Sequence, residues 1–182
     1  MTTITETTTA IPVGTWSVDP THSHVGFELD YMGGVFRGSF SPVEATLVAG
    51  DDGDVKLEGS ARADAVKVQD ENLNAHLLSP EFFDLPRTPV LSFASTDVRR
   101  SGDEIVIGGE LTIRGTTQPV ELRVTIGEPL TDAYGRERFG LKLHGAVDRT
   151  HFGLDWNIPL PTGEPALANE VRLVAELFFI KG

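Results

Sequence analysis

Histidines 22 and 24 stand two residues apart. In a strand that spacing points both imidazoles the same way, so the pair can chelate a metal. Spacing offers no third ligand, and the simpler reading has His22 and Ser23 holding a corner between strands by hydrogen bonds. Ser23 beside His24, with Asp19 near, supplies the residue types of a hydrolase. Neighbours in a strand face opposite sides, however, so this serine and this histidine cannot pair. No Gly-x-Ser-x-Gly turn exposes a nucleophile. Paired carboxylates occur at Asp51/Asp52 and Asp103/Glu104, in expected turns, where they read as solvated charges rather than an acid/base pair. The chain has 0 cysteines, which removes thiolate nucleophiles and thiolate zinc sites. No catalytic residue, metal or cofactor is expected.

Two further clusters carry polar groups among apolar ones. His76 lies with Leu73, Leu77 and Leu78, close to Phe82 and Phe83. It is either a hydrogen-bonded structural histidine or a partner for a ligand head group. Arg149 and His151 precede Asp155 and Trp156. They form either a polar collar around a head group or a brace for their loop.

The elements that must hold these residues are strands. Period-two alternation runs from residue 15 to 181. Val25, Phe27, Leu29 and Tyr31 share a face, as do Val55, Leu57, Gly59, Ala61, Ala63 and Ala65. The same pattern runs through Ile105–Ile113, Val120–Ile126, Phe139–Val147 and Val171–Phe179. Each strand therefore has one dry and one wet face. Asp51-Asp52-Gly53, Ser101-Gly102-Asp103, Gly115-Thr116-Thr117 and Ala133-Tyr134-Gly135 read as short connections. Short turns imply sequential antiparallel neighbours. The expectation is an all-β, eight-stranded, antiparallel up-and-down barrel, since closure removes edge strands. One segment departs from alternation. Residues 70–79 place Leu73 and Leu77 on one face at helical spacing, with Asp70 as N-cap. The short helical segment is expected near residues 70–84, over one mouth of the barrel. A second loop, residues 157–169, is stiffened by Pro159, Pro161 and Pro165 and is expected to flank one of the mouths.

Eight strands enclose either packed side chains or one small ligand. Gly59, Ala61, Ala63 and Ala65 are small in succession, and Gly38, Gly109 and Gly145 lie on other inward faces. Phe27, Phe36, Phe40, Phe93 and Phe139 either fill the space this leaves or wall a tunnel through it. The pattern alone leaves both open.

Charge narrows the partners. With 27 acidic and 15 basic residues the net charge is -12. No Lys/Arg cluster is present, which argues against nucleic acid and against an anionic membrane surface. No stretch reaches the roughly 20 apolar residues of a membrane span. Residues 1–13 read as a short leader without the features of a signal peptide, and residues 14–182 as one domain. The expected location is cytoplasmic, and a homodimer is one possible state.

Several segments together resemble the YceI family of lipid-binding proteins. They are Trp16-Ser17-Val18-Asp19-Pro20-Thr21-His22-Ser23-His24-Val25-Gly26-Phe27, then Phe36-Arg37-Gly38-Ser39-Phe40, then His76-Leu77-Leu78-Ser79-Pro80-Glu81-Phe82-Phe83-Asp84 with Pro89 and Ser92-Phe93. Gly109-Glu110-Leu111-Thr112-Ile113-Arg114-Gly115-Thr116-Thr117 and Arg149-Thr150-His151-Phe152-Gly153 complete the set. The resemblance implies a lipocalin-like extended barrel with a helical segment at one end. It implies a long apolar ligand inside, of the polyisoprenoid or isoprenoid-quinone type, and no enzymatic activity. Many members are periplasmic or secreted, and the expected lack of a signal peptide departs from them. Carried onto this chain, the wall candidates are Phe27, Phe36, Phe40, Phe93 and Phe139, and the mouth candidates are His76, Phe82 and Phe83. The inward residues Ala61, Ala63 and Leu111, the helix residues Leu73 and Leu77, and the collar residues Arg149 and Trp156 complete the expected ligand-binding set.

Overall fold

Alternating apolar and polar residues, rich in Val, Ile, Leu and Phe, favour extended chain with one face buried. The structure, a computed structural model, describes residues 11–101 and 104–182. Its strands are β1 (Gly14–Val18), β2 (His24–Tyr31), β3 (Gly34–Phe40), β4 (Glu44–Ala49), β5 (Val55–Arg62) and β6 (Val66–Lys67). Helix α1 (Glu71–Leu78) follows, then β7 (Val90–Ser101), β8 (Glu104–Ile113), β9 (Thr116–Ile126), β10 (Leu130–Thr131), β11 (Glu137–Asp148) and β12 (Glu170–Lys181). Single 3₁₀ turns occupy Ala63–Ala65 and Arg149–Phe152.

These 12 hydrogen-bonded segments form one sheet that closes on itself through β11 and β12. Several are halves of one long strand. Both β1 and β2 run antiparallel to β12, β1 along Val18↔Phe179 to Trp16↔Lys181 and β2 along Glu28↔Arg172 to His24↔Glu176. They are one strand broken at residues 19–23. In the same way β3 and β4 pair with the two halves of that strand. β6 continues β5 beyond the 3₁₀ turn to pair with β3, and β10 continues β9 beside β11. Counted so, the barrel has eight antiparallel strands in up-and-down order, as the alternation predicts.

The break at 19–23 is held by the residues at the corner. Ser23 is 2% exposed, and its Oγ accepts the Phe178 amide at 2.9 Å. Asp19 donates its amide to the Phe178 carbonyl at 2.7 Å, and its carboxylate lies 2.7 Å from His22 Nδ1. His22 and Ser23 thus hold the corner as expected.

The turns are partly where the sequence places them. Gly53 and Gly135 sit at the β4–β5 and β10–β11 tips. The β8–β9 tip is Arg114-Gly115, at φ 53° and 74°, so Thr116 and Thr117 already belong to β9. Met32-Gly33 turns β2 into β3 with φ 46° and 80°. Two successive left-handed residues match the twist of a tight hairpin. Residues 102 and 103 of the expected Ser101-Gly102-Asp103 tip lie outside the described residues.

Residues 1–10 of the expected leader also lie outside them. Ile11 is buried, and Pro12 accepts the Trp16 indole N–H at 2.9 Å. Ile11 and Pro12, which the sequence reading places in the leader, thus pack against the barrel. Helix α1 matches its expectation closely: Asp70 caps it, accepting the Leu73 amide at 3.0 Å. The helical segment expected to extend to about residue 84 ends at Leu78, and residues 80–87 continue as turns.

Candidate functional site

The barrel is packed at one end and hollow at the other. The inward residues of each strand divide between the two. In β11, Phe139 and Leu141 are packed, while Leu143 and Val147 line a cavity of about 430 Å³. In β12, Phe179 is packed, and Leu177, Ala175, Leu173 and Val171 line it. The same change occurs from Ile107 to Leu111 in β8, from Val124 to Leu122 in β9, from Val55 to Leu57 in β5 and from Leu47 to Ala45 in β4. Leu57, Leu122, Leu143 and Leu177 therefore form the floor. Beneath them Trp16 meets Phe139 edge-on at 4.8 Å, and Phe139 stacks on Phe179 at 5.6 Å. The volume lies within the about 300–1,000 Å³ usual for ligand pockets.

The mouth is built by α1, the turn after it, and residues 149–167. Leu73, His76 and Leu77 reach in from the helix, and Phe82 and Phe83 from the turn. Arg149, Phe152, Leu154, Trp156 and Leu167 come from the opposite loop. Asn157 staples that loop: its Nδ2 donates to the Leu167 carbonyl at 2.8 Å and its Oδ1 accepts the Leu167 amide at 3.0 Å. Thus the 157–169 loop flanks the same mouth as the helix.

Two histidines and one arginine stand near this mouth with different roles. His76 meets Phe82 edge-on at 4.9 Å and Trp156 at 4.8 Å, and its Nε2 lies 2.7 Å from Glu81 Oε2. It is a partnered residue of the rim. His151 and Asp155 are exposed outside the wall, so no closed polar collar forms. Arg149 is different. It is 4% exposed, lines the cavity, and braces the loop. Its Nε donates to the Ala168 carbonyl at 2.8 Å, and Nη1 donates to the carbonyls of Leu154 at 2.5 Å and Trp156 at 2.9 Å. Burial lowers its pKa from the usual guanidinium range, against the pull of Asp148 and Asp155. The Asp148 carboxyl is held below its usual value chiefly by the Thr150 hydroxyl and amide.

Of the residues expected to bind ligand, Phe27, Phe36, Phe40, Ala61, Leu73, His76, Leu77, Phe82, Phe83, Phe93, Leu111, Arg149 and Trp156 line this one cavity. Two do not. Ala63 is fully buried, but β5 ends at Arg62 and Ala63 opens a 3₁₀ turn, its amide bonded to the Pro89 carbonyl at 2.8 Å. Once the strand ends, period two no longer predicts direction. Phe139 faces inward as expected, but below the floor. The glycines also behave differently from one another. A Cβ on Gly38 would stand 2.4 Å from the Phe27 ring, and one on Gly109 2.5 Å from the Phe93 ring. These glycines let aromatic wall residues lie flat across the neighbouring strand. Gly59 and Ala61 line the cavity directly. Leu154 and Leu167 come from loops without periodicity, and no signal in the sequence marks them.

Among the described residues, no group of three or more His, Cys, Asp or Glu is placed to hold a metal. No helix among them is long and apolar enough to cross a membrane.

The architecture has known counterparts. The solved structure of Burkholderia cenocepacia BcnA superimposes with a TM-score of 0.75 at 18% identity, over 88% of this chain and 98% of that one. A polyisoprenoid binding domain from Saccharophagus degradans, implicated in plant cell wall breakdown, matches with a TM-score of 0.66 at 11% identity, over 92% and 98%. These show the shared fold. In sequence, the protein YceI of Salmonella arizonae is 29% identical over 156 residues, covering 84% of this chain and 78% of the relative. The pattern of the YceI-like domain matches residues 16–179. Spanning the barrel from Trp16 in its packed end to Phe179 in its last strand, that match establishes that this chain belongs to the YceI-like family.

Proposed function

We propose that this protein binds a long apolar amphiphile of the polyisoprenoid type inside its barrel, and carries or sequesters it unchanged. The observation that supports this most is the cavity itself: about 430 Å³, floored by leucines and walled by Phe27, Phe36, Phe40 and Phe93. Each buried CH₂ of a tail gains about 0.8 kcal/mol, so affinity accumulates along the tail, less the cost of ordering it. The polyisoprenoid binding domain of the same fold supports the choice of tail.

We read the site as a carrier rather than a catalyst. Among the described residues the hydrogen-bond partner of the His76 ring is Glu81, so no nucleophile is paired with it, and Arg149 is tied to three backbone carbonyls. An isoprenoid quinone is one ligand of the proposed class. Cytoplasmic residence and a homodimeric state belong to the same proposal, and cell fractionation and sedimentation of the loaded protein read them. The binding test is uptake of geranylgeraniol by the detergent-free protein. Saturable one-to-one binding is expected. A folded protein that takes up none overturns the reading.

A further inference from the structure

The cavity is a blind tunnel with a definite end. On β12 the inward residues Val171, Leu173, Ala175 and Leu177 line it, and the next one, Phe179, is 0% exposed in the packed end. Leu47, Ile107 and Leu141 are equally buried there. Phe139 fills the space between Trp16 and Phe179. A tail that enters at the mouth has no path beyond the floor leucines.

Two measures of the tunnel agree. An apolar cavity of about 150 Å³ holds one benzene, so each carbon takes about 25 Å³. On that scale the cavity of about 430 Å³ holds about 17 carbons. The second measure is depth. At about 3.3 Å per residue, the strand from Val171 to Leu177 covers about 20 Å. A barrel tilt of about 35–45° reduces this to about 15 Å along the axis. An extended chain advances about 1.2 Å per bond, so the four backbone bonds of an isoprene unit take about 5 Å. Volume thus gives between three and four isoprene units, and depth gives about three.

A small residue sets where the tunnel stops. Ala175 lies one inward position above Leu177 on β12. It is level with Leu143 of β11 and Val25 of β2, which also line the cavity. Its single methyl leaves the space above the floor open.

We propose that the tunnel selects its ligand by tail length, admitting prenyl chains of about three to four isoprene units, with Ala175 setting the depth of the stop. This rests on the carrier reading above and narrows its ligand. A longer tail leaves carbons in water at the mouth, and each of them forfeits the gain of burial.

Phosphatidylcholine vesicles holding equal amounts of geraniol, farnesol, geranylgeraniol and solanesol offer every tail the same apolar reservoir. The full chain is incubated with them and separated by flotation, and its bound prenol is extracted and identified by mass spectrometry. Farnesol and geranylgeraniol should dominate. Solanesol, with a tail more than twice as long, should be recovered about tenfold less or lower still. In Ala175→Phe the added ring is about as large as one isoprene unit, and the recovered population should shift by one unit toward farnesol and geraniol. Thermal melting confirms that the variant folds. If it does not, Ala175→Leu replaces it and should raise the ratio of farnesol to geranylgeraniol. Solanesol recovered as well as geranylgeraniol, or an unchanged length profile in a folded variant, overturns selection at this stop. The carrier reading then still stands, because prenol is bound. Recovery of no prenol at all overturns both.

Discussion

At the scale of residues, Ala61 and Ala63 separate the roles that a strand pattern alone merges. Ala61 lines the cavity, whereas Ala63 is 0% exposed and packed beyond the end of β5. Ala61→Phe should therefore fill the tunnel and abolish ligand uptake while the melting temperature stays near that of the parent. Ala63→Phe should overpack its site and destabilise by about 1–3 kcal/mol, with binding retained in the folded fraction. Denaturant melts and calorimetry on the two variants read both effects. If ligand uptake survives in folded Ala61→Phe, the tail does not run past β5. Phe27 and Phe93 make a related point. Their rings lie across Gly38 and Gly109, and at Gly38 an added Cβ meets the Phe27 ring alone, so Gly38→Ala should shift Phe27 and reduce affinity even though the glycine donates no surface of its own.

Elements decide how far the sequence could be read. The strands and their inward faces were legible because an error of one residue would turn every apolar side chain to water. For the same reason the wall residues Phe27, Phe36, Phe40, Phe93 and Leu111 could be named from alternation and from the resemblance. The depth of each residue was not legible. Nothing in Phe139 or Ala63 tells that one lies under the floor and the other past a strand end, since depth is set by register between distant strands. Helix α1 was legible through its Asp70 cap. Asp70→Ala should cost about 0.5–2 kcal/mol locally. Because α1 roofs the mouth, the expected outcome is faster ligand release in stopped-flow displacement at little change in global melting. A release rate equal to that of the parent would mean that α1 is not the gate.

The corner and the β10–β11 hairpin meet at Arg138, which reaches Asp19 Oδ2 at 3.4 Å and Asp132 Oδ2 at 3.6 Å. The hydrogen bond with His22 lowers the Asp19 pKa, and the Arg136 amide lowers that of Asp132. Both carboxylates thus titrate below their ordinary value of 3.8 in the fold. Their contribution is complete above that value and is lost as pH falls through the lower folded values. Melting temperature should decline below about pH 4, and Asp132→Asn should flatten that decline. An unchanged profile in the variant would remove this cluster from the acid response.

For the whole molecule, the division into a packed half and a hollow half is the central feature. Trp16, Phe139, Phe179 and the aliphatic residues around them supply a core at one end, so the other end can stay open without loss of the fold. A net charge of -12 keeps particles apart in water, which suits a protein whose apolar surface is turned inward. The most direct measurement is native mass spectrometry of the protein purified without detergent, paired with an organic extract of the same sample. One bound amphiphile per chain, extracted with a long prenyl or similar apolar tail, is the predicted result. A bare mass that stays bare after prenyl amphiphiles are added would contradict the account.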